Sequence, residues 1–379
     1  DINFLWAMGV LLATTFTILV ISGLFLMMYY KPDINLAFDS VNYTIMQEVA
    51  FGWLFRHIHG VAASVIFLII YIHMLTGIYY GSYKQGREMI WISGMLLFVT
   101  FSAAGFSGYM LPWGQMSYWA AMVITNLFGG VPVIGDALVV WIRGDFNVAD
   151  ATLTRFFMLH VFLLPIAIMG LIGLHFYTLR IPHVNNQNSD EFDFDAEAEK
   201  YLAGNKKESK VIPFWPIFIS KDLAVLGVFL IFYFYLVFFH YNFAMDPVNF
   251  DPANAMVTPA HIYPEWYFLW SYEVLRGFFF DIAGIKAFDI GLIAFAFANG
   301  IFFVLPWLDR DNKILPAHKR PLFFIWFWLL VVDLIVLTVY GKLPPTGANA
   351  WVGFFAAVAF ILLFVLLPVI TKLDQKRRG

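Results

Sequence analysis

The stretch that decides the fold is Gly52–Tyr80, GWLFRHIHGVAASVIFLIIYIHMLTGIYY. It is apolar and long enough for a helix to cross a hydrocarbon core of about 30 Å. Its two histidines His59 and His73 are 14 residues apart, which at about 100° per residue brings both imidazoles within roughly 40° of one helix face. At about 1.5 Å per residue they lie about 21 Å apart along the axis, one towards each side of a membrane.

A second apolar run, 152–180, repeats this arrangement with His160 and His175. The two runs cross in the same direction, because one further crossing lies between them. We therefore pair His59 with His160 near the outer side and His73 with His175 near the inner side. Two imidazole pairs at two depths are what two bis-histidine haems need. The pattern indicates an electron carrier, whereas the other histidines fall at span ends or in loops.

Three further residues bear on this pairing. His160 and His175 are 15 residues apart, about 60° past whole turns, and we expect a kink at Pro165 to re-aim the helix. Arg56 and Arg155 precede the outer histidines by about one turn. They suit haem propionates or anchoring at the membrane interface, and both roles remain open.

Four glycines share the histidine period. Gly9 and Gly23 lie 14 residues apart in the first apolar run, and so do Gly94 and Gly108 in the third. Glycine weakens a helix by about 1 kcal/mol relative to alanine, so the repeat needs a reason. Close helix packing is one reason. The shared period favours another, which is room for the edges of two porphyrins.

The composition is that of a membrane protein. Hydrophobic residues make up 61% of the 379 residues and charged residues 13%, against about 25% charged in soluble domains. The chain has no cysteine, which excludes disulfides, thiolate-held iron–sulfur clusters and thioether-attached haem within it. It is apolar almost from Asp1, and we expect an amphipathic N-terminal segment to precede it.

The hydropathy pattern predicts an all-α membrane protein with eight transmembrane helices, at 4–30, 53–80, 88–110, 152–180, 222–241, 287–307, 321–340 and 351–371. Helices 1–4 are expected to form a four-helix bundle that holds two b-type haems. The predicted divisions are a dihaem bundle (1–180), an inner-side linker (181–221) and a C-terminal four-helix domain (222–379). Sixteen Lys and Arg residues fall on the N-terminal side and seven on the other, so the positive-inside rule places both termini inside.

Three of the predicted connections have sequence patterns that indicate structure or function beyond a simple linker. The outer segment 112–146, PWGQMSYWAAMVITNLFGGVPVIGDALVVWIRGDF, predicts two short helices broken near Gly129 and Pro132, as a hairpin that roofs a pocket. The inner segment 181–220 carries an acidic run from Asp190 to Glu199, which favours a solvated loop with a charged surface helix over partner docking.

The outer segment 242–286 contains TPAHIYPEWYFLWSYEVLRG. It predicts a proline-initiated helix with Glu265 in the first turn, where a carboxylate suits the helix dipole. Capping is one role for Glu265. Its apolar surroundings, with Tyr267, on the outer side make it a candidate proton acceptor as well. Asp333, deep in the seventh span, is expected to pair locally.

These residues together resemble the cytochrome b subunit of quinol–cytochrome c reductase, in its fused eight-helix form. The resemblance runs nearly end to end. It rests on the four histidines, the two glycine pairs and four motifs: GYMLPWGQMSYW (108–119), TLTRFFMLH (152–160), DPVNFDPANAMVTPAHIYPEWYF (246–268) and KRP (319–321).

The resemblance implies a Q cycle with two non-covalent haems b, the outer of low and the inner of high potential. Quinol is oxidised in an outer pocket, where Glu265 takes a proton, Tyr267 and Tyr272 line the pocket, and Pro264 and Ala120 adjoin it. The inner quinone site is implied at Asp222, with Trp6, Lys221 and Arg180 near it. The implied partners are a Rieske iron–sulfur protein, a c-type cytochrome, membrane lipid and a second copy in an obligate dimer.

The sequence also departs from the family pattern. Arg180 stands where a histidine is often found, with His183 nearby, and Thr76 stands where an arginine is often found. These changes bear on the inner quinone contacts and the haem potential. The 15-residue spacing and Arg180 resemble the split, photosynthetic relative, although the chain continues into three further spans as in the fused form. The spacing also leans towards a bacterial cytoplasmic membrane rather than a mitochondrial one. Ala120 stands where many members have glycine, and we expect its methyl group to crowd the outer pocket.

Histidines within apolar spans are also compatible with two other functions. A dihaem membrane anchor of a quinone-linked dehydrogenase typically needs four or five spans and no pocket like that near Glu265. A transporter that uses histidines as a proton path predicts no haem at all.

Overall fold

The computed structural model describes residues 3–185 and 193–378. Its main helices in chain order are α1 Phe4–Met27, α2 Gly52–Tyr79, α3 Glu88–Met110, α4 Gln115–Leu127, α5 Gly135–Arg143, α6 Asp150–Arg180, α7 Phe194–Leu202, α8 Phe214–Phe239, α9 Leu269–Arg276, α10 Ala287–Leu308, α11 Pro321–Lys342 and α12 Ala348–Arg378.

Eight of these helices, α1, α2, α3, α6, α8, α10, α11 and α12, are long and apolar enough to cross a membrane. The all-α fold with eight spans is therefore confirmed. Apolar runs of this length become helices because lipid offers no hydrogen-bond partners to the backbone. Two of the helices extend several residues beyond their predicted spans. The fifth begins with a π-helical segment, Phe214–Phe218, and the last continues through its charged final turn to Arg378.

The connections form two faces. We call one the hairpin face, where 28–51, 111–149, 240–286 and 343–347 lie. The other is the terminal face, with 80–87, 181–185, 193–213, 309–320 and the two described ends of the chain. Contacts between distant connections define each face. On the hairpin face the Tyr30 hydroxyl donates to the Leu111 carbonyl at 2.7 Å. On the terminal face the Asn185 amide donates to the Tyr80 carbonyl at 3.0 Å.

The predicted helical hairpin is present as α4 and α5, with a 3-10 turn Phe128–Gly130 after α4. Its PWGQMS start is bound to the connection before α9. The Gln115 amide N–H donates to the Asp251 carbonyl at 2.9 Å, and its side chain accepts from Asn254 N–H at 2.7 Å. A Cβ on Gly114 would lie 2.2 Å from the Asn249 carbonyl oxygen, so only glycine permits this approach.

Helix α9 packs deep among the last three spans, and glycines make this possible. A Cβ on Gly291, Gly341 or Gly353 would lie 2.1 Å, 2.4 Å or 1.8 Å from an α9 oxygen. Such close contact between small residues is how helices associate without a hydrophobic driving force in lipid. It fixes α9 and the PEWY segment in front of it against the C-terminal helices.

A buried ion cluster joins the two halves of the chain on the terminal face. Arg320, fully buried, donates to both carboxylate oxygens of Asp309, at 2.7 and 2.9 Å, and its Nε lies 3.1 Å from Asp311. Lys84, from the connection between α2 and α3, lies 3.2 Å from Asp309. Burial raises the pKa of Asp309, but the Arg320 and Lys84 charges outweigh it and hold that pKa below its usual value.

The acidic connection contains the expected charged helix, α7, whose surface Lys200–Glu197 pair is largely exposed on the lysine side. Asp190 and Glu191 of the acidic run lie outside the described residues.

Candidate functional site

The structure brings the four histidines together in two pairs. The ring centroids of His59 and His160 are 6.1 Å apart with planes at 78°, and those of His73 and His175 are 6.4 Å apart with planes at 73°. Two metal–nitrogen bonds of about 2 Å, plus about 1 Å from each nitrogen to its ring centroid, require centroids about 6 Å apart. Each pair therefore has the separation that one iron between two imidazoles requires.

Hydrogen bonds turn the second nitrogen of three of these rings away from the pair. His160 Nδ1 lies 2.9 Å from the Ala104 carbonyl, which can only accept. His59 Nδ1 lies 2.9 Å from Ser22 Oγ, and His175 Nδ1 lies 2.9 Å from Ser93 Oγ.

Both serine hydroxyls already donate to main-chain carbonyls of their own helices, at 2.6 and 2.9 Å. They therefore accept the imidazole N–H. Each of the three histidines is fixed as the Nδ1–H tautomer and presents an Nε2 lone pair, as a metal-bound histidine does.

Three of the four glycines lie against these rings. A Cβ would lie 2.4 Å from His160 Cε1 at Gly108, 3.2 Å from His59 Cε1 at Gly23 and 3.3 Å from His175 Cε1 at Gly94. At Gly9 a Cβ would meet nothing within 4 Å. The glycine repeat thus makes room for imidazoles at three positions, and at the fourth it faces open space.

A π-helical turn, Leu159–Leu163, accommodates the 15-residue spacing. From the sequence we expected a kink at Pro165 to compensate for the extra residue between His160 and His175. Pro165 has no N–H to donate to the carbonyl four residues earlier. A π turn joins residues five apart rather than four and so takes up one extra residue. The rings of His73 and His175 consequently meet, as they would after 14 residues.

The two predicted arginines have different surroundings. Arg56 lines a cavity of about 290 Å³ on the hairpin face, and the other polar side chains in its lining are His57, Asn42 and Gln47. His57 is buried and stacks on Tyr241 at 3.6 Å. Arg155 is exposed and donates to the Trp141 carbonyl at the end of α5.

A second cavity, of about 170 Å³, lies against α4 of the helical hairpin and has an almost entirely apolar lining. We call it the hairpin cavity. Its lining includes Ala120, Pro264 and Tyr272 among the predicted site residues, together with Tyr263 and Phe268. The hairpin thus covers a pocket, as predicted, and the Ala120 methyl group faces it.

Glu265 and Tyr267 are adjacent to this cavity without being among its lining residues. The helical turn begins at Trp266, so Glu265 is the residue before the helix rather than in its first turn, and its side chain makes no capping bond. Burial, and then the charge of Asp246, raise the pKa of Glu265 to about 8. Tyr267 is buried and stacks on Phe67 of α2 at 3.8 Å.

The residues predicted at the inner quinone site are on the terminal face. The Trp6 indole donates to the Asn185 carbonyl at 2.9 Å, and its ring lies 4.8 Å from Tyr80. Lys221 is exposed and Asp222 half-buried at the start of α8, while Arg180 is exposed at the end of α6.

Comparison with known proteins decides the family. The protein-family model described as "Cytochrome b/b6/petB" matches residues 1–182. A second family model, "Cytochrome b(C-terminal)/b6/petD", matches residues 252–374. Proteins named cytochrome b from Rhodobacter capsulatus and Rickettsia bellii are 39% and 40% identical over 99% of this chain, covering 86% and 88% of their own lengths. The chain belongs to the cytochrome b family.

A solved structure described as a hyperthermophilic respiratory complex III contains a chain with the same fold. The TM-score is 0.90 at 38% identity, over 99% of this chain and 93% of that one. As a cytochrome b family member with eight apolar helices, the chain is a membrane protein of electron transport, and the relatives named above are bacterial.

Sequence reasoning missed several residues of this cytochrome b site. Ser22 and Ser93, which orient two histidines, each precede a repeated glycine, and so does Ser107. The Ser-Gly pair was therefore a signal available in the sequence. Asn185, which ties Trp6 to Ser82 at 3.1 Å and to the Tyr80 carbonyl, had no such signal.

Proposed function

We propose that this chain oxidises quinol on the hairpin face and reduces quinone on the terminal face, as the catalytic subunit of a quinol–cytochrome c reductase. The observation that carries the proposal is the two imidazole pairs at iron-binding separation, in a chain that also has an apolar cavity on the hairpin face. In a Q cycle the two faces are coupled, and two bound haems b would supply the one-electron path between them.

The four histidines fit two haems. Within the described residues no three His, Cys, Asp or Glu side chains come together as a metal site. A metal held by either pair must therefore take its other ligands from elsewhere, and a porphyrin supplies four nitrogens. The open space at Gly9 and the cavity lined by Arg56 fit a macrocycle edge and its propionates.

The PEWY segment would connect quinol chemistry to the outer histidine pair. The Tyr71 hydroxyl, on the same helix as His59, donates to the Tyr267 carbonyl and accepts from the Trp270 indole at 2.9 Å. The hairpin cavity has an apolar lining and would orient a quinone ring between Ala120 and Tyr272. Glu265, with a pKa near 8, would accept one proton from the quinol.

On the terminal face, quinone reduction needs proton donors. Asp222 and Lys221 at the start of α8 would serve in this role, with Trp6 and Arg180 near the ring. The partners would be a Rieske iron–sulfur protein and a c-type cytochrome, within a dimeric complex in the bacterial cytoplasmic membrane and with both termini cytoplasmic.

A redox-poised visible spectrum of the purified complex tests this proposal. Two b-type components of distinct potential are expected, the lower lost in His59→Ala and the higher in His73→Ala. A single component would show that one pair does not bind haem. Absence of haem bands would favour a transporter, and two haems without quinol–cytochrome c reductase activity would favour the dehydrogenase anchor.

A further inference from the structure

Two short segments that flank Glu265 in the chain contribute to the lining of the hairpin cavity. One is the connection 262–264, just before Glu265, and the other runs from Phe268 to Leu275 and is mostly α9. Residues 261–265 lie outside the helices, so the regular hydrogen bonds of a helix do not hold them in place. Their position against α9 therefore depends on side chains.

Tyr272 and Arg276 are two of these side chains. They lie about one turn apart on α9 and so on the same face of it. The Tyr272 hydroxyl donates to the Ile262 carbonyl at 3.1 Å, and Arg276 Nη1 lies 3.3 Å from His261 Nε2. The guanidinium also lies over the Tyr272 ring, 5.0 Å from its centroid, as a cation–π contact. Two adjacent residues of the connection are thus bound to two neighbouring residues of α9.

The direction of the contact between Arg276 and His261 is fixed. A guanidinium has only donors, so His261 Nε2 must be the acceptor. Burial and then the Arg276 charge lower the pKa of His261, which favours the neutral ring. A neutral imidazole has the lone pair that this bond needs.

The other nitrogens of the guanidinium fix Arg276 itself. Nε donates to the Glu273 carboxylate at 2.5 Å, and Nη2 donates to the Leu343 carbonyl at 2.7 Å and to the Tyr340 carbonyl. Glu273 is 2% exposed. The planar fork therefore joins α9, the end of α11 and the connection before Glu265. Lysine, with one nitrogen on a flexible stem, could not make this set of contacts.

We propose that Arg276 is a positioning residue for quinol oxidation, which fixes the connection 261–264 and Tyr272 to each other and so aligns a quinol in the hairpin cavity with Glu265. Arg276 does not itself line the cavity. It acts through His261, which adjoins the lining, and through the Tyr272 ring, which is part of it. This inference rests on the proposed function, because it concerns the alignment of that same substrate.

The test uses the complete complex with Arg276→Lys and His261→Leu. Arg276→Lys keeps a positive charge beside the buried Glu273 but loses the fork. His261→Leu leaves the ion pair intact and removes only the acceptor. Each is expected to lower kcat about tenfold, because a displacement of about 1 Å at a reacting centre can cost up to about 100-fold. The quinol KM should change less than about twofold, because the apolar side chains that bury the ring are still present.

A rescue and a double variant test whether the effect passes through this contact. Glutamine can place its amide oxygen about where His261 Nε2 lies, so His261→Gln should restore most of the rate. The double variant of Arg276→Lys and His261→Leu should be no slower than the slower single variant, because both changes remove one shared contact. If His261→Gln is as slow as His261→Leu, the inference is wrong.

His240→Leu is the matched control. His240 is exposed at the end of α8 on the same hairpin face, where its Nε2 lies 3.0 Å from the Tyr235 hydroxyl, and it does not line the hairpin cavity. It should oxidise quinol at the parent rate. A tenfold loss in His240→Leu as well would show that the assay responds to any lost histidine on this face, and the inference would fall.

The reaction at the terminal face separates positioning from a general structural role. In each variant, haem reduction by quinol from the terminal face is measured with the hairpin cavity saturated by a methoxyacrylate-type inhibitor. This rate, the haem content and the thermal midpoint should match the parent complex. A loss of both reactions by the same factor would show that Arg276 only stabilises the fold, which overturns the inference.

The outcomes distinguish this inference from the proposed function. Parent turnover in both Arg276→Lys and His261→Leu, together with slow turnover in Glu265→Gln, overturns the inference alone. Normal turnover in Glu265→Gln, or no quinol oxidation by the parent complex, overturns the proposed function.

Discussion

Gly108→Ala is the most direct test of the histidine site. The added Cβ would lie 2.4 Å from His160 Cε1 and 2.8 Å from its Nδ1. Since carbon atoms need about 3.5 Å, the imidazole must retreat by about 1 Å. That movement is large enough to break the 2.9 Å bond from His160 Nδ1 to the Ala104 carbonyl, which orients the ring.

The expected cost follows from these two effects. Overpacking of this kind costs about 1–3 kcal/mol, which corresponds to about 5- to 150-fold in affinity. Loss of a partner that orients a metal-bound histidine costs about 10- to 100-fold. We expect haem retention at the outer pair to fall at least about tenfold. Helix stability should not fall, because alanine is favoured over glycine by about 1 kcal/mol.

The assay is haem content per chain with a redox-poised visible spectrum. The lower-potential component should be lost or shifted while the other persists. Gly170→Ala is the matched control, since Gly170 is exposed on α6 and its Cβ would meet nothing within 4 Å. Two unchanged components in Gly108→Ala would refute the placement of His160.

Gly9→Ala extends the same test. Its Cβ would meet no protein atom within 4 Å, so the chain itself predicts no effect. Loss of the higher-potential component would show that a porphyrin edge occupies that space. If both components survive, the glycine repeat has no cofactor role at this position.

Three further predictions use the same complex. The rate of quinol oxidation should rise with pH, with a midpoint near pH 8, because the Glu265 carboxyl must lose its proton before it can accept one. Glu265→Gln should be about 100-fold slower and lack that rise, with both haems retained. A midpoint that persists in Glu265→Gln would exclude Glu265 as the base. Ala120→Gly should increase sensitivity to methoxyacrylate-type inhibitors by enlarging the hairpin cavity, measured by inhibitor titration; unchanged sensitivity would mean that the methyl group does not obstruct the pocket. Asp309→Asn should cost about 3 kcal/mol, because Arg320 and Lys84 both lose their nearest carboxylate and the buried Arg320 keeps only Asp311 beside its Nε. Thermal unfolding in detergent measures this against the exposed control Asp136→Asn. An unchanged transition would show that the cluster is not stabilising.

Much of the architecture followed from local sequence. Apolar runs of transmembrane length predicted all eight helices, because backbone groups in lipid have to bond within their own segment. The 14-residue period predicted which histidines face one another, because helical geometry converts spacing directly into direction. The cavity under the α4–α5 hairpin was likewise predicted from an apolar connection broken by glycine and proline.

Only the tertiary structure decided the contacts between segments that are distant in the chain. The sequence predicted a kink at Pro165, whereas the structure has a π-helical turn just before it, at Leu159–Leu163. The turn depends on how α6 packs against its neighbours. Lys84 meets Asp309 across 225 residues of chain, and the Trp270 indole donates to the Tyr71 hydroxyl across 199 residues. Periodicity specifies which way a side chain points on its own helix, but the packing of separate helices specifies what it meets.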